Sequence, residues 1–197
     1  MKAHKVEPIK RLLEKATGLG VPTREEALAN VRDVKPLSMK FRDDVYIPNN
    51  PKLPLLYYRK AFHFSRKHDP AATLEVVFNA HSWGQAWRNG IYDFVHYHSM
   101  IHEVLGIARG SAVLRLGGNK GKTVKVGAGD VIVVPAGVGH ECLKPRQDFL
   151  VVGAYPPNGT YNECRGSFQE RDKAIASIRR VSIPKKNPIF GSHEPLW

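Results

Sequence analysis

Apolar residues at helical spacing predict short helices in the first eighty residues and again near 170–180. A capping box of Thr23 and Glu26 opens one of them, which should continue to about Val31. Asp69-Pro70 supplies an N-cap followed by a proline at the first helical position, and so opens the next. The apolar positions of the other two predicted N-terminal segments are Ile9, Leu12 and Leu13 in the first, and Leu74, Val77 and Phe78 in the last. Prolines over 36–54 predict extended chain lying on a surface.

From Asn89-Gly90 onward the period changes from 3.6 to 2, which is typical of strands. The alternating positions and compact apolar runs are Tyr92, Phe94, His96 and His98; Ala112, Leu114 and Leu116; Val124 and Val126; Val131–Val134; and Leu150–Val152. Glycines punctuate these runs. The glycine-rich residues 117–123 are similar to a phosphate-binding loop, but the alternation that follows predicts a hairpin turn. Many short strands separated by turns predict an all-β barrel or sandwich.

Two segments of this β region combine residue types that bind metals. In a strand, His96 and His98 project from the same face, and Glu103 follows a few residues on. A paired imidazole with a nearby carboxylate is half of a metal site. Residues 129–140 supply a further candidate ligand, His140, at the end of a strand bracketed by turn residues.

These segments resemble the cupin family. Residues 90–110 match the cupin motif G(X)5HXH(X)4E(X)6G at every fixed position, and residues 129–140 match G(X)5PXG(X)2H. The second motif departs only where the pattern ends in Asn, since this chain has Lys144. The stretches WGQAWRNGIY, HYHSMIHEVLG and VVGAYPPNGTY are similar to those of an uncharacterised family of single-barrel cupins.

The resemblance implies a double-stranded β-helix, a jelly-roll-like barrel, in residues 55–160. A helical and extended wrap over 1–54 would precede it, and a C-terminal extension over 161–197 would pack on it. It also implies a divalent transition metal (Fe, Mn, Ni or Zn) held by His96, His98, Glu103 and His140. An ion of charge +2 with one carboxylate leaves a net +1, which favours an anionic, oxygen-chelating small molecule.

Other residues near the motifs have two interpretations each. His102 should face away from the site, toward solvent or a site-supporting contact. Cys142 is either a redox-sensitive thiol near the metal or a small buried hydrophobic residue. Trp83 and Trp87 either cover the cavity and stack on a planar substrate, or pack against the barrel. Arg109 stands in a predicted hairpin turn and is not counted as a substrate clamp.

The chain carries 30 Lys and Arg against 18 Asp and Glu, a net charge of +12. No nucleic-acid motif accompanies the excess, so a solvated basic surface is favoured over nucleic-acid binding. The sequence has no stretch long and apolar enough for a membrane span. Two cysteines, Cys142 and Cys164, are too few for a disulfide framework, and with no visible secretory signal we expect a cytoplasmic protein.

The resemblance favours a metal-dependent enzyme acting on a small anionic molecule, with dioxygenase-type chemistry first and isomerisation or decarboxylation next. The alternative is a non-catalytic module that binds a small molecule or metal, because one fold hosts many functions. Single-barrel cupins are commonly dimers. We therefore expect a homodimer, with the outward positions Val95 and Tyr97 as part of a partner-facing surface.

Overall fold

A computed structural model describes residues 19–194 and 196–197 of the chain. Its elements are α1 (Arg24–Leu28), β1 (Leu37–Met39), β2 (Leu55–Tyr58), α2 (Pro70–Ala80), β3 (Gly84–Asn89), β4 (Glu103–Arg109), β5 (Ser111–Leu116), β6 (Lys122–Gly127), β7 (Val131–Val134), β8 (His140–Pro145), β9 (Leu150–Tyr155) and α3 (Phe168–Ile178). The helix predicted at Ile9, Leu12 and Leu13 lies outside the described residues. No helix among those described is long and apolar enough to cross a membrane.

Within the described part of the chain, nine strands form two antiparallel sheets. The larger has the order β1-β2-β7-β4-β9-β3, and the smaller has the order β6-β5-β8. Glu103 pairs with Val134 across β4 and β7, and Leu116 pairs with His140 across β5 and β8. The predicted all-β, jelly-roll-like core is confirmed. The hairpin predicted at 117–123 is also confirmed, because it joins β5 to β6.

Inward-facing residues of both sheets pack into one apolar cluster. Leu105 and Ile107 from the large sheet meet Leu114 and Leu116 from the small one, and all four are at most 1% exposed. Burying such side chains contributes about 1.5–3 kcal/mol each. The barrel interior is therefore a packed core along most of its length.

The other face of the large sheet is covered by α2 and the C-terminal tail. Val104 and Val133 on this face pack with Leu74 and Phe78 of the helix. A Cβ on Gly106 would come within 3.0 Å of both Leu74 and Phe78, so glycine is needed where helix and sheet approach. Because both faces are covered, β7 is buried at all four positions instead of alternating.

Hydrogen bonds fasten the C-terminal tail to this covered face. His81 Nδ1 donates to the carbonyl of Pro188 (2.9 Å), and Trp83 Nε1 donates to the carbonyl of Lys186 (3.0 Å). Trp83 is only 1% exposed and belongs to the outer apolar cluster. Trp83 therefore packs against the barrel, which confirms the second of the two interpretations given for it.

The predicted helices after residue 22 are present. Both Thr23 and Ser167 form capping boxes, and Asp69 accepts hydrogen bonds from the first turn of α2. α1 ends at Leu28, three residues earlier than predicted. β1 lies within the proline-rich stretch and forms an edge of the large sheet.

The structure contradicts the prediction of a strand through Tyr92, Phe94, His96 and His98. The segment is irregular and makes only isolated bridges, from His96 to His140 and from Tyr97 to Cys164. His96 and Tyr97 hydrogen-bond in opposite directions, as residues of a strand do, but neither pairing extends into a ladder. The rings of Tyr92 and Phe94 instead stack on each other, with centroids 4.8 Å apart.

Two further predictions are corrected. Arg109 is not in a hairpin, because Gly110, with a φ of +66°, carries the chain from β4 in the large sheet to β5 in the small one. Val95 and Tyr97 do not form an outward surface. Tyr97 is fully buried in a cluster that includes Ile178 of α3, and Val95 is partly buried against the same cluster.

Candidate metal centre

The three predicted histidines meet at one end of the barrel interior. His96, His98 and His140 are each at most 5% exposed, and each offers a ring nitrogen within 4.8 Å of the others. The ring centroids of His96 and His140 are 4.1 Å apart. The predicted spacing therefore brings together three imidazoles from two distant parts of the chain.

Glu103 lies against two of these histidines. Its Oε2 atom is 3.3 Å from Nε2 of His98 and 3.3 Å from Nε2 of His140. Two donors bound to one ion at about 2.1 Å, and roughly at right angles, lie about 3 Å apart. These separations are close to those of ligands that share an ion.

Backbone carbonyls fix the orientation of all three imidazole rings. Nδ1 of His96 donates to Phe94 (3.3 Å), Nδ1 of His98 to Asn162 (2.5 Å) and Nδ1 of His140 to Val138 (3.2 Å). A carbonyl oxygen only accepts, so each of these contacts places a proton on Nδ1 and leaves Nε2 as the ring nitrogen that can bind an ion. Metal-binding histidines are oriented in this manner.

Glu103 is the unusual group in the cluster. It is 2% exposed, and its Oε2 has no hydrogen-bond partner within the described part of the chain. A buried carboxylate oxygen without a hydrogen bond is costly unless a cation or another donor meets it. The donor set of three imidazole nitrogens and one carboxylate oxygen therefore fits a divalent transition metal.

Burial and mutual contact shift the pKa values of the cluster. Burial, together with the neighbouring His140 and His98, lowers the pKa of His96 to about 3, which keeps this ring neutral. Burial alone would raise the pKa of Glu103, but contact with His98 and His140 outweighs it and lowers the pKa. Burial opposes protonation of His98 as well, yet the Glu103 carboxylate raises the pKa of that imidazole.

A cavity of about 360 Å³ opens beside the cluster. It is lined by Trp87, Arg88, Asn89, Gly90, Ile91, Tyr92, His96, His98, Glu103, Tyr155 and Tyr161. A small ligand that enters this cavity reaches His96, His98 and Glu103 directly. Trp87 and three tyrosines form part of the same wall.

The other predicted residues divide between the site and its surroundings. Trp87 lines the cavity, whereas Cys142 packs in the apolar interior, as expected of a small buried hydrophobic residue.

His102 is fully buried and does not contact solvent. Its Nδ1 accepts a hydrogen bond from the amide of Ala136 (3.0 Å), and its ring lies beside Trp197. Lys144 is exposed at the far end of β8.

The site also includes Tyr155, Tyr161 and Asn162, to which the sequence patterns assign no role. Trp87 Nε1 donates to the Tyr155 hydroxyl at 3.0 Å. Burial and the nearby Glu103 carboxylate raise the pKa of Tyr155, so its hydroxyl stays protonated. Both tyrosines belong to VVGAYPPNGTY, a stretch that carried the family resemblance, so the signal was present without an assigned role.

Asn162 fastens the segment that carries His98. Besides its carbonyl contact to His98, its Oδ1 accepts from the amides of Ser99 (3.0 Å) and Met100 (3.1 Å). Its Nδ2 donates to the Ser99 hydroxyl at 2.9 Å. No spacing rule points to this residue, because its role depends on tertiary contact.

These features define a two-sheet β-barrel protein with a buried histidine cluster at one end. The chain belongs to the family of the uncharacterized protein YjlB of Bacillus subtilis (strain 168). It is 38% identical to that protein over 156 residues, which is 79% of this chain and 91% of YjlB. No family model matches the chain.

Several solved structures resemble parts of this fold. They include an oxalate decarboxylase (18% identity, TM-score 0.32, 57% of this chain and 23% of that one) and the TDP-quinovose 3,4-ketoisomerase of Campylobacter jejuni (13%, 0.37, 47% and 74%). Another is the acireductone dioxygenase of Bacillus anthracis with a cadmium ion (17%, 0.35, 53% and 80%). This chain thus spans about a quarter of the decarboxylase. Sequence identity and structural similarity this low do not indicate an activity.

Proposed function

We propose that this protein is a metal-dependent cupin enzyme that acts on a small, oxygen-chelating anion. The observation that carries the proposal is the buried cluster of three imidazoles together with the unpartnered Glu103 Oε2. His96, His98, Glu103 and His140 would hold a divalent ion. When bound, such an ion supplies Lewis-acid or redox chemistry at its open coordination position.

The protein's own residues set the conditions for this chemistry. The carbonyl contacts hold the imidazoles in the metal-binding tautomer, and the cavity beside the cluster gives a small molecule access to His96, His98 and Glu103. Glu103 would neutralise one of the two charges of a bound divalent ion, and the remaining net charge of +1 would attract an anion. Dioxygenase-type chemistry ranks first by the cupin resemblance, followed by isomerisation or decarboxylation.

The test is elemental analysis of protein purified without an affinity tag. We expect about one iron, manganese, nickel or zinc ion per chain, and its loss in His96→Ala/His98→Ala. The matched control His63→Ala/His193→Ala removes two exposed histidines outside the cluster and should keep the metal. Equal metal content in parent and site variant, or none in the parent after reconstitution, contradicts the metal site.

Turnover separates an enzyme from a binding module. The metal-loaded protein should consume O₂ or convert chelating hydroxy or keto compounds, and the His96→Ala/His98→Ala variant should not. Tight ligand retention without O₂ uptake or product would instead support the non-catalytic module. Turnover that survives both metal removal and the double substitution would exclude the proposed mechanism.

A further inference from the structure

The wall of the cavity beside the histidine cluster is rich in aromatic side chains. Trp87, Tyr92, Tyr155 and Tyr161 all line it. Aromatic walls favour flat partners, because offset or edge-to-face ring contacts add to the burial of apolar surface. The cavity is also of the size that small-molecule sites occupy.

Two of these rings stand directly beside the candidate ligands. The centroid of Tyr92 is 5.0 Å from that of His96, and the centroid of Tyr161 is 5.0 Å from that of His98. Both tyrosines are partly exposed, at 44% and 47%, so each retains ring surface that a ligand can cover. Tyr155 lies deeper, with its centroid 5.6 Å from Tyr161. A molecule bound at the cluster therefore meets aromatic surface beside two different histidines.

Within the residues that the structure describes, the cavity lining offers no uncompensated cationic side chain. Arg88 is the cationic residue of the lining, and its guanidinium is already paired. Nη1 lies 2.7 Å from Asp69 Oδ2, and Nε lies 2.8 Å from Glu75 Oε1. A second anionic group on the ligand would have no free partner there, and desolvating it would cost affinity.

We propose that this cavity selects a flat and otherwise uncharged ring that carries two neighbouring oxygen donors, such as a catechol or a hydroxyketone ring. The inference rests on the proposed metal function and deepens it by naming the substrate class. The two oxygens carry the negative charge to the metal, while Tyr92 and Tyr161 cover the ring. Aliphatic polycarboxylates and phosphorylated molecules fit this lining poorly.

A matched pair of chelators tests the proposal. Benzohydroxamate and acetohydroxamate offer the same two oxygen donors, but only the first has a ring. Their affinities for the Co²⁺-reconstituted protein are measured by calorimetry, and the cobalt absorption spectrum verifies coordination. We expect the ring compound to bind about tenfold more tightly or better.

Variants assign this preference to the tyrosines. In Tyr92→Leu/Tyr161→Leu the ratio of the two affinities should fall to about threefold or less, with one cobalt ion retained per chain. Tyr46→Leu, which replaces a tyrosine of similar exposure outside the cavity, should keep the parent ratio. Benzohydroxamate with a 4-carboxylate should bind about tenfold more weakly than its parent compound, because its second charge lacks a partner.

The outcomes distinguish the ring preference from the metal site on which it depends. Equal affinities for the two hydroxamates with cobalt bound overturn the ring preference and leave the metal site standing. An unchanged ratio in the double-tyrosine variant, or tighter binding of the 4-carboxylate, also overturns it. Failure of the parent protein to bind cobalt overturns the proposed metal function and this inference together.

Discussion

The four candidate ligands form two pairs that the fold holds differently. Glu103 and His140 begin regular strands, and their side chains share faces with Leu105 and Cys142 of the apolar interior. His96 and His98 stand on an irregular segment held by isolated bridges and by single hydrogen bonds. The first pair depends on strand register and core packing, whereas the second depends on a few polar contacts. Stability and metal affinity should therefore respond to different substitutions.

The largest expected effect is on the free energy of unfolding, from a substitution in β4, the strand that carries Glu103. Leu105→Ala, at 1% exposure between the sheets, should lower the free energy of unfolding by about 2–5 kcal/mol. Urea unfolding measures this change. Because β4 keeps its register, Glu103 stays in place, and the metal affinity of the folded variant should fall by less than about tenfold. Losing a contact that supports a metal ligand typically costs at least that much affinity. A folded Leu105→Ala protein without metal would show that the core, and not the ligand set, determines binding.

Asn162→Ala should weaken metal binding more than it destabilises the fold. It removes the side-chain contacts to Ser99 and Met100 that fasten the His98 segment. We expect metal affinity to fall about 10–100-fold, which is the usual cost of losing support for a ligand, while unfolding changes by only about 1–2 kcal/mol. Competition with a chromogenic chelator measures the affinity.

The matched control is Asn158→Ala, at an exposed asparagine in the neighbouring turn. It should leave metal affinity unchanged. If Asn158→Ala and Asn162→Ala weaken metal binding equally, the segment is not held by Asn162 and the distinction between the two pairs fails.

His81 extends the comparison to a buried histidine outside the site. Burial lowers its pKa below the ordinary 6.5, although its bond to the Pro188 carbonyl opposes this. The unfolded chain then binds the proton more readily than the folded one. This contribution to stability is complete above about pH 6.5 and is lost as the pH falls below that value.

His81→Gln should remove this part of the pH dependence. Between pH 7.5 and 5.5 the parent should lose up to about 1 kcal/mol more than the variant, as measured by urea unfolding. Metal content at pH 7.5 should be equal in the two proteins. Identical pH profiles would mean that His81 does not couple to folding.

The smallest effect is expected at Cys142, which shares the face of His140 but packs in the core. Cys142→Ala should cost about 1 kcal/mol of stability by leaving a small cavity, and the metal should stay bound. Burial also raises the pKa of this thiol, which makes it a poor nucleophile. Parent and variant should lose turnover equally under oxidant. Protection of the variant would restore the redox interpretation.

Sequence periodicity predicted the strands whose apolar faces are buried, and motif spacing predicted which four side chains meet. Alternation of apolar and polar residues predicted a strand wrongly where the alternation had another cause. Tyr92 and Phe94 alternate with polar residues because their rings stack on each other, and not because they belong to a ladder. β3 was missed because it is partly exposed at an edge of the sheet and shows no clear alternation.

Long-range contacts account for the remaining differences. Tyr97 was placed at the surface from local pattern alone, but α3, some seventy residues later, covers it. Likewise, Asn162 supports His98 across 64 residues of sequence, a contact that no local rule encodes. The candidate ligands were predictable because the motif fixes residue types, whereas their supporting contacts depend on the folded chain.

The most direct test of the metal centre is a crystal structure of the metal-reconstituted protein, with anomalous scattering recorded at the absorption edge of the metal. We predict one anomalous peak per chain, about 2.0–2.2 Å from Nε2 of His96, His98 and His140 and from an oxygen of Glu103. A peak bound through Nδ1, a peak at the exposed histidines, or no peak within this cluster would contradict the account.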